Sequence, residues 1–153
     1  KAGVASSQTN LALKYAKGEG VAQDGKEAVK WYRKAVEQGY AEAQYNLGLM
    51  YAKGEGVTQD DKKAFNWYRK AAEQGYAEAQ YNLGLIYYNG RGVSPDYIQA
   101  YAWYNLAALS GDANAEKSLR KIEVMMTSEQ IAKAQELYRT LHKKIKANKK
   151  AKD

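Results

Sequence analysis

The side chains in this sequence that could do chemistry are few and badly spaced for it. Acid, base or nucleophilic catalysis needs at least two groups held at hydrogen-bond distance, usually with a shifted pKa. The single histidine, His142, stands beside Lys143 and Lys144, and there is no cysteine. Without cysteine there is no disulfide framework and no thiolate metal site, and the compartment stays open between secreted and cytoplasmic. Carboxylates recur, but as helix caps or as solvent-facing partners such as Glu27 with Lys30, and Glu73. No metal ligands fall at a useful spacing. The Gly18-Glu19-Gly20 run and its copies are not a phosphate loop, because no strand precedes them and no Gly-Lys-Ser/Thr follows. The residues point away from an enzyme and away from any cofactor.

What recurs is architecture. Val21, Val57 and Val93 are 36 residues apart, and so are Trp31, Trp67 and Trp103, Leu11, Leu47 and Leu83, and Asp24, Asp60 and Asp96. Ala41, Ala77 and Ala113 keep the step, so a fourth copy begins. A fixed period of this size means stacked units, none of which buries its apolar face alone. At 153 residues and 45% hydrophobic the chain can build a core, and its 14 tyrosines suit helix faces that are only partly covered. No apolar run is long enough to span a membrane.

Each unit reads as two helices. First helices are expected at 5–17, 41–53 and 77–89, ending at Gly18, Gly54 and Gly90, where a left-handed cap is least costly. Second helices are expected at 25–37, 61–73 and 97–109, with Asp24 and Glu27, and Asp96 and Gln99, as reciprocal capping pairs. Ala28, Trp31, Tyr32, Ala35 and Val36 form one apolar stripe, which places the tryptophans in the core. Gly48 and Gly84, inside first helices, imply close helix approach, since glycine there costs about 1 kcal/mol.

After Ala113 the copy degrades. Thr127 with Gln130 then opens a helix carrying Ile131, Ala134, Tyr138, Leu141 and Ile145, a natural lid on the last repeat, and the chain beyond Ile145 reads as solvated or frayed. The domain layout is therefore repeats over 1–126 (about 3–37, 38–73, 74–109 and a partial 110–126), then a capping helix and basic tail over 127–153. Residues 1–3 align with the end of a repeat and no Met opens the chain, so either earlier repeats are missing or a leader has been removed. The net charge of +7 is concentrated at one end: residues 1–116 hold 13 basic and 13 acidic side chains, residues 117–153 hold 11 and 4. That excess gives an alternative reading, attraction of nucleic acid or an anionic membrane by the C-terminal segment. It lacks interleaved aromatics, which favours a solubilising role.

The run from Ala41 to Gly75, with its copies, resembles the Sel1-like repeat family, relatives of the tetratricopeptide repeat with a longer loop between helices. The match covers roughly residues 3–124, and the segment from Met126 to Leu141 is similar to the closing helix of bacterial members. The resemblance implies an all-α fold, an α/α solenoid in which antiparallel helix pairs form a right-handed superhelix with a C-terminal capping helix. It further implies a monomeric, non-catalytic scaffold that binds a protein or peptide on its concave face, with no small-molecule substrate.

Carried over position by position, the resemblance places Asn10 and Lys17 on that face from the first repeat, and Glu42, Tyr45, Asn46, Leu49 and Lys53 from the second. The third supplies Glu78, Tyr81, Asn82, Leu85, Tyr88 and Asn89, and the broken fourth Asn114, Lys117, Ser118, Lys121 and Val124. A repeated asparagine amide can pair with the backbone of an extended peptide, and tyrosines offer flat area at low entropic cost. The opposing readings are that the asparagines bond to a neighbouring helix and that the tyrosines pack between repeats.

Overall fold

The computed structural model describes residues 2–152. They form eight α-helices and no strand: α1 Ala2–Lys17, α2 Gly25–Val36, α3 Ala41–Lys53, α4 Asp61–Glu73, α5 Ala77–Asn89, α6 Tyr97–Leu109, α7 Ala113–Glu123 and α8 Ser128–Lys152. Four helices have the bounds expected from sequence, while α1 starts earlier and α2 stops one residue short. The chain divides into two compact units between Ala71 and Ala72.

The loop inside each repeat is closed by backbone hydrogen bonds. Gly54 adopts φ 71°, its amide donates to the Met50 carbonyl at 2.8 Å, and six residues on the Asp60 amide donates to the Tyr51 carbonyl at 3.0 Å. Asp24 to Tyr15 and Asp96 to Tyr87 repeat that second bond at 2.9 Å. This corrects the expected reciprocal capping. Each aspartate does accept, Asp24 from the Lys26 and Glu27 amides and Asp96 from the Gln99 amide. Its own amide, however, is already bound to the preceding helix. Of the three expected pairs, Thr127 and Gln130 make both halves, at 2.9 and 3.1 Å.

In the first unit α2 packs against α1 and α3. Ala12, Ala28, Tyr32, Ala43, Leu47 and Tyr68 are buried there, and the buried Thr9 hydroxyl donates to the Ala5 carbonyl at 2.8 Å. Trp31 and Trp67 are half-buried, against expectation. Lysine three residues on explains it: Lys34 lies 4.3 Å from the Trp31 ring and Lys70 4.6 Å from Trp67, and a lysine stem lays down apolar cover only while its ammonium stays wet. The third copy has Leu106 at that position, and Trp103 is buried.

In the second unit α6 packs against α5, α7 and α8, which is why it is apolar nearly all round, from Ala100 through Tyr104 to Leu106 and Ala107. Tyr101, Tyr104, Ile122, Met126 and Ala134 share one core, which brings α8 against α6. Helix α8 also stays helical past Ile145: residues 146–152 are exposed, as expected of a solvated tail, but they are not frayed. Ile145 is buried, Lys144 Nζ stands 3.4 Å from Glu73, the Asn148 side chain donates to the Glu73 carbonyl, and Lys152 donates to Gln74. These contacts fasten the tail to the turn between α4 and α5.

Candidate functional site

Within the second unit, residues of α5, α6 and α7 enclose a cleft of about 320 Å³ lined by Tyr81, Leu85, Tyr88, Asn89, Tyr104, Ser118 and Lys121. Tyr81, Leu85 and Tyr88 follow at i, i+4 and i+7, so one face of α5 forms the wall. Ser118 and Lys121, three apart on α7, form the other. Tyr104 closes the floor because Gly84 gives α6 room to bring its ring against α5: a Cβ on that glycine would lie 2.5 Å from the tyrosine Cδ1.

The cleft is aromatic in body and polar at its edges. The Tyr81 and Tyr104 rings meet at 5.7 Å and 36°, and Tyr88 stacks on Tyr97 at 5.4 Å and 14°. The Tyr81 hydroxyl lies 3.4 Å from the Ser118 hydroxyl, and the Tyr88 hydroxyl donates to Met125 Sδ at 3.5 Å. Burial pushes the Tyr104 phenol well above its ordinary range, with Tyr81 and Tyr88 adding to the rise and the Ser118 hydrogen bond opposing it. Tyr104 therefore stays a neutral donor and acceptor. Asn89 and Lys121 are exposed at the rim, offering an amide and a cation. An extended chain could lay apolar side chains against the rings and pair its polar groups with those hydroxyls.

Six of the residues expected on the concave face thus come together: Tyr81, Leu85, Tyr88, Asn89, Ser118 and Lys121. Glu78 and Lys117 are exposed, and Asn82 is half-buried; all three lie outside the cleft lining. In the first unit Tyr45 is half-buried and meets Tyr68 at 5.7 Å and 44°, the same pairing one repeat earlier. Glu42, Asn46 and Leu49 are half-buried, and Asn10, Lys17 and Lys53 exposed. Tyr104 was not among the expected residues. Its signal was the 36-residue recurrence of Tyr32, Tyr68 and Tyr104. Among the described residues no three of His, Asp or Glu gather as metal ligands, and no helix is long and apolar enough to cross a membrane.

A Sel1 repeat model matches three successive segments, residues 5–40, 41–76 and 77–112, each holding one helix pair. A Sel1 repeat protein from Oxalobacter formigenes, of solved structure, is 42% identical with a TM-score of 0.73 over 75% of this chain and 47% of its own. A protective antigen present in uropathogenic Escherichia coli strains, which displays an SLR fold, is 32% identical with a TM-score of 0.77 over 97% of this chain and 40% of its own. The chain thus spans less than half the length of each. No curated protein matches it.

Proposed function

We propose, because this chain belongs to the Sel1 repeat family, that it is a non-catalytic scaffold for a protein partner and that the cleft walled by α5 and α7 holds a segment of that partner. The observation that supports this reading is the cleft itself, where side chains from three helices converge on an aromatic floor with an open polar rim. Tyr81, Leu85 and Tyr88 supply contact area, Asn89 pairs with partner backbone, and Lys121 meets a carboxylate. Asn10 and Asn46, with Tyr45, Leu49 and the flanking charged residues, serve the earlier repeats in the same way. Residues 127–153 cap the array. The basic tail is not a competing site in this reading, because Lys144 and Lys152 are already tied to the α4–α5 turn.

The test is capture of partners by the full chain and by an Asn89→Ala, Lys121→Ala double variant, followed by titration of each purified partner identified by mass spectrometry. Both residues are exposed, so helicity and melting temperature should not move. Affinity should fall by about tenfold or more, roughly 1.4 kcal/mol. Equal affinity of the two proteins for every partner would remove the cleft from consideration.

A further inference from the structure

Gln80, on α5, is 2% exposed, yet its amide is only half satisfied. Nε2 donates to the Ala72 carbonyl at 3.2 Å, and Oε1 is buried with no hydrogen-bond partner. Exchanging the two amide atoms would set oxygen against the Ala72 oxygen, so the orientation is fixed and the acceptor remains the orphan. Buried acceptors are normally paired, and one left open at a cavity wall marks a place for a donor from outside.

Such a cavity is present. Gln80 lines a pocket of about 280 Å³ in the second unit that shares no residue with the tyrosine cleft. Leu106, Leu109 and Ile145 make it apolar on one side. Lys146 and Lys149 bring positive charge from α8, and the His142 ring lines the pocket beside them. The stem of Lys149 lies across Gly75, where a Cβ would come within 2.7 Å of its Cε, so this cation is drawn over the pocket by the absence of a side chain at residue 75. The Glu73 carboxylate at the same turn is held by Lys144 at 3.4 Å. Ser110, also in the wall, spends its hydroxyl proton on the Leu106 carbonyl and keeps its lone pairs.

The pocket thus combines, among its lining residues, the unpaired acceptor of Gln80 and the Ser110 hydroxyl with an apolar side and cations from a single helix. We infer that it binds a carboxylate borne next to an N–H and an apolar side chain, which is the chemistry of an N-acylated apolar amino acid, free or as the last residue of a peptide. The N–H donates to Gln80 Oε1, the side chain lies against Leu106, Leu109 and Ile145, and the carboxylate meets Lys146 and Lys149. The volume suits one residue, not a long segment.

The test is calorimetric titration of the full chain with N-acetyl-leucine and with its neutral amide, N-acetyl-leucinamide. The acid should bind at least about tenfold more tightly, and a Lys146→Gln, Lys149→Gln variant should bring it down to the level of the amide. Both lysines are exposed, so unchanged helicity will separate lost binding from lost folding. The acid should also shift the side-chain amide resonances of Gln80. Failure of the acid to bind, equal binding of acid and amide, or undiminished binding by the variant would each overturn the inference. A peptide ending in leucine tells the two sources apart. If it binds more tightly than the acetyl acid the ligand is a chain end, and if it is excluded while the acid binds the ligand is the free N-acyl amino acid. Neither result bears on the tyrosine cleft.

Discussion

Gly84 and Tyr104 are in contact so close that the smallest side chain would collide: a Cβ on Gly84 would sit 2.5 Å from Cδ1 and 2.6 Å from Cε1 of the tyrosine. The ring cannot swing aside, because Tyr104 is 2% exposed and wedged against Tyr81. Gly84→Ala gains about 1 kcal/mol of helix propensity and loses about 1–3 kcal/mol to overpacking. The same substitution one repeat earlier, Gly48→Ala, meets Tyr68 at 2.9 Å. Urea titration should therefore show Gly84→Ala destabilised by up to about 2 kcal/mol and Gly48→Ala close to wild type.

Gly56 and Gly20 occupy equivalent loop positions with nearly the same left-handed φ, 74° and 75°. Their surroundings differ. A Cβ on Gly56 would lie 2.2 Å from the Gly25 carbonyl oxygen, whereas one on Gly20 has nothing within 4 Å. Gly20→Ala should cost only the backbone term, about 1 kcal/mol, while Gly56→Ala adds a backbone collision that no rotamer relieves. Thermal melts should order them wild type, Gly20→Ala, Gly56→Ala, and equal losses would mean that φ alone matters.

The bounds of α3 through α6 were legible in the sequence because local signals set them, Gly54 and Gly90 closing α3 and α5 and Asp60 and Asp96 opening α4 and α6. Trp31 and Trp67 were misread because a stripe counts apolar rings without asking what stands three residues on, and there it is Lys34 and Lys70. The helical tail was invisible for a different reason. Its anchors at Glu73, Gln74 and Gly75 lie more than seventy residues away in sequence. One wall of the cleft could be read from the spacing of Tyr81, Leu85 and Tyr88. The contribution of Tyr104 depends on how α6 packs, which the concave-face positions of the first helices do not encode.

Burial raises the phenol pKa of Tyr32, Tyr101 and Tyr104 above the ordinary 10.0, with the Glu42 charge adding at Tyr32 and Glu123 at Tyr101. A raised pKa means that the folded state holds the proton longer than the unfolded chain. The stabilisation is complete below the unfolded value and is lost as pH rises through and above it, by up to about 1.4 kcal/mol per pH unit for each group. Denaturant midpoints should hold to about pH 9 and fall beyond about pH 10, with a shallower fall in Tyr104→Phe. An equally steep fall in Tyr104→Phe would show that this phenol is not responsible.

Gln130 and Gln99 occupy the same place three residues into their helices, but they do different work. Gln130 accepts from the Thr127 amide at 2.9 Å, whereas the amide of Asp96, the residue that matches Thr127, donates instead to the Tyr87 carbonyl at 2.9 Å. Removing the glutamine side chain should therefore matter only at α8. Gln130→Ala exposes the Thr127 amide to water and should cost about 0.5–1 kcal/mol, with faster hydrogen exchange at that amide. Gln99→Ala should leave exchange of the Asp96 amide as slow as in the wild type, since its acceptor belongs to α5. Faster exchange at Asp96 in that variant would mean that the loop bond to Tyr87 does not hold by itself and that the glutamine supports it.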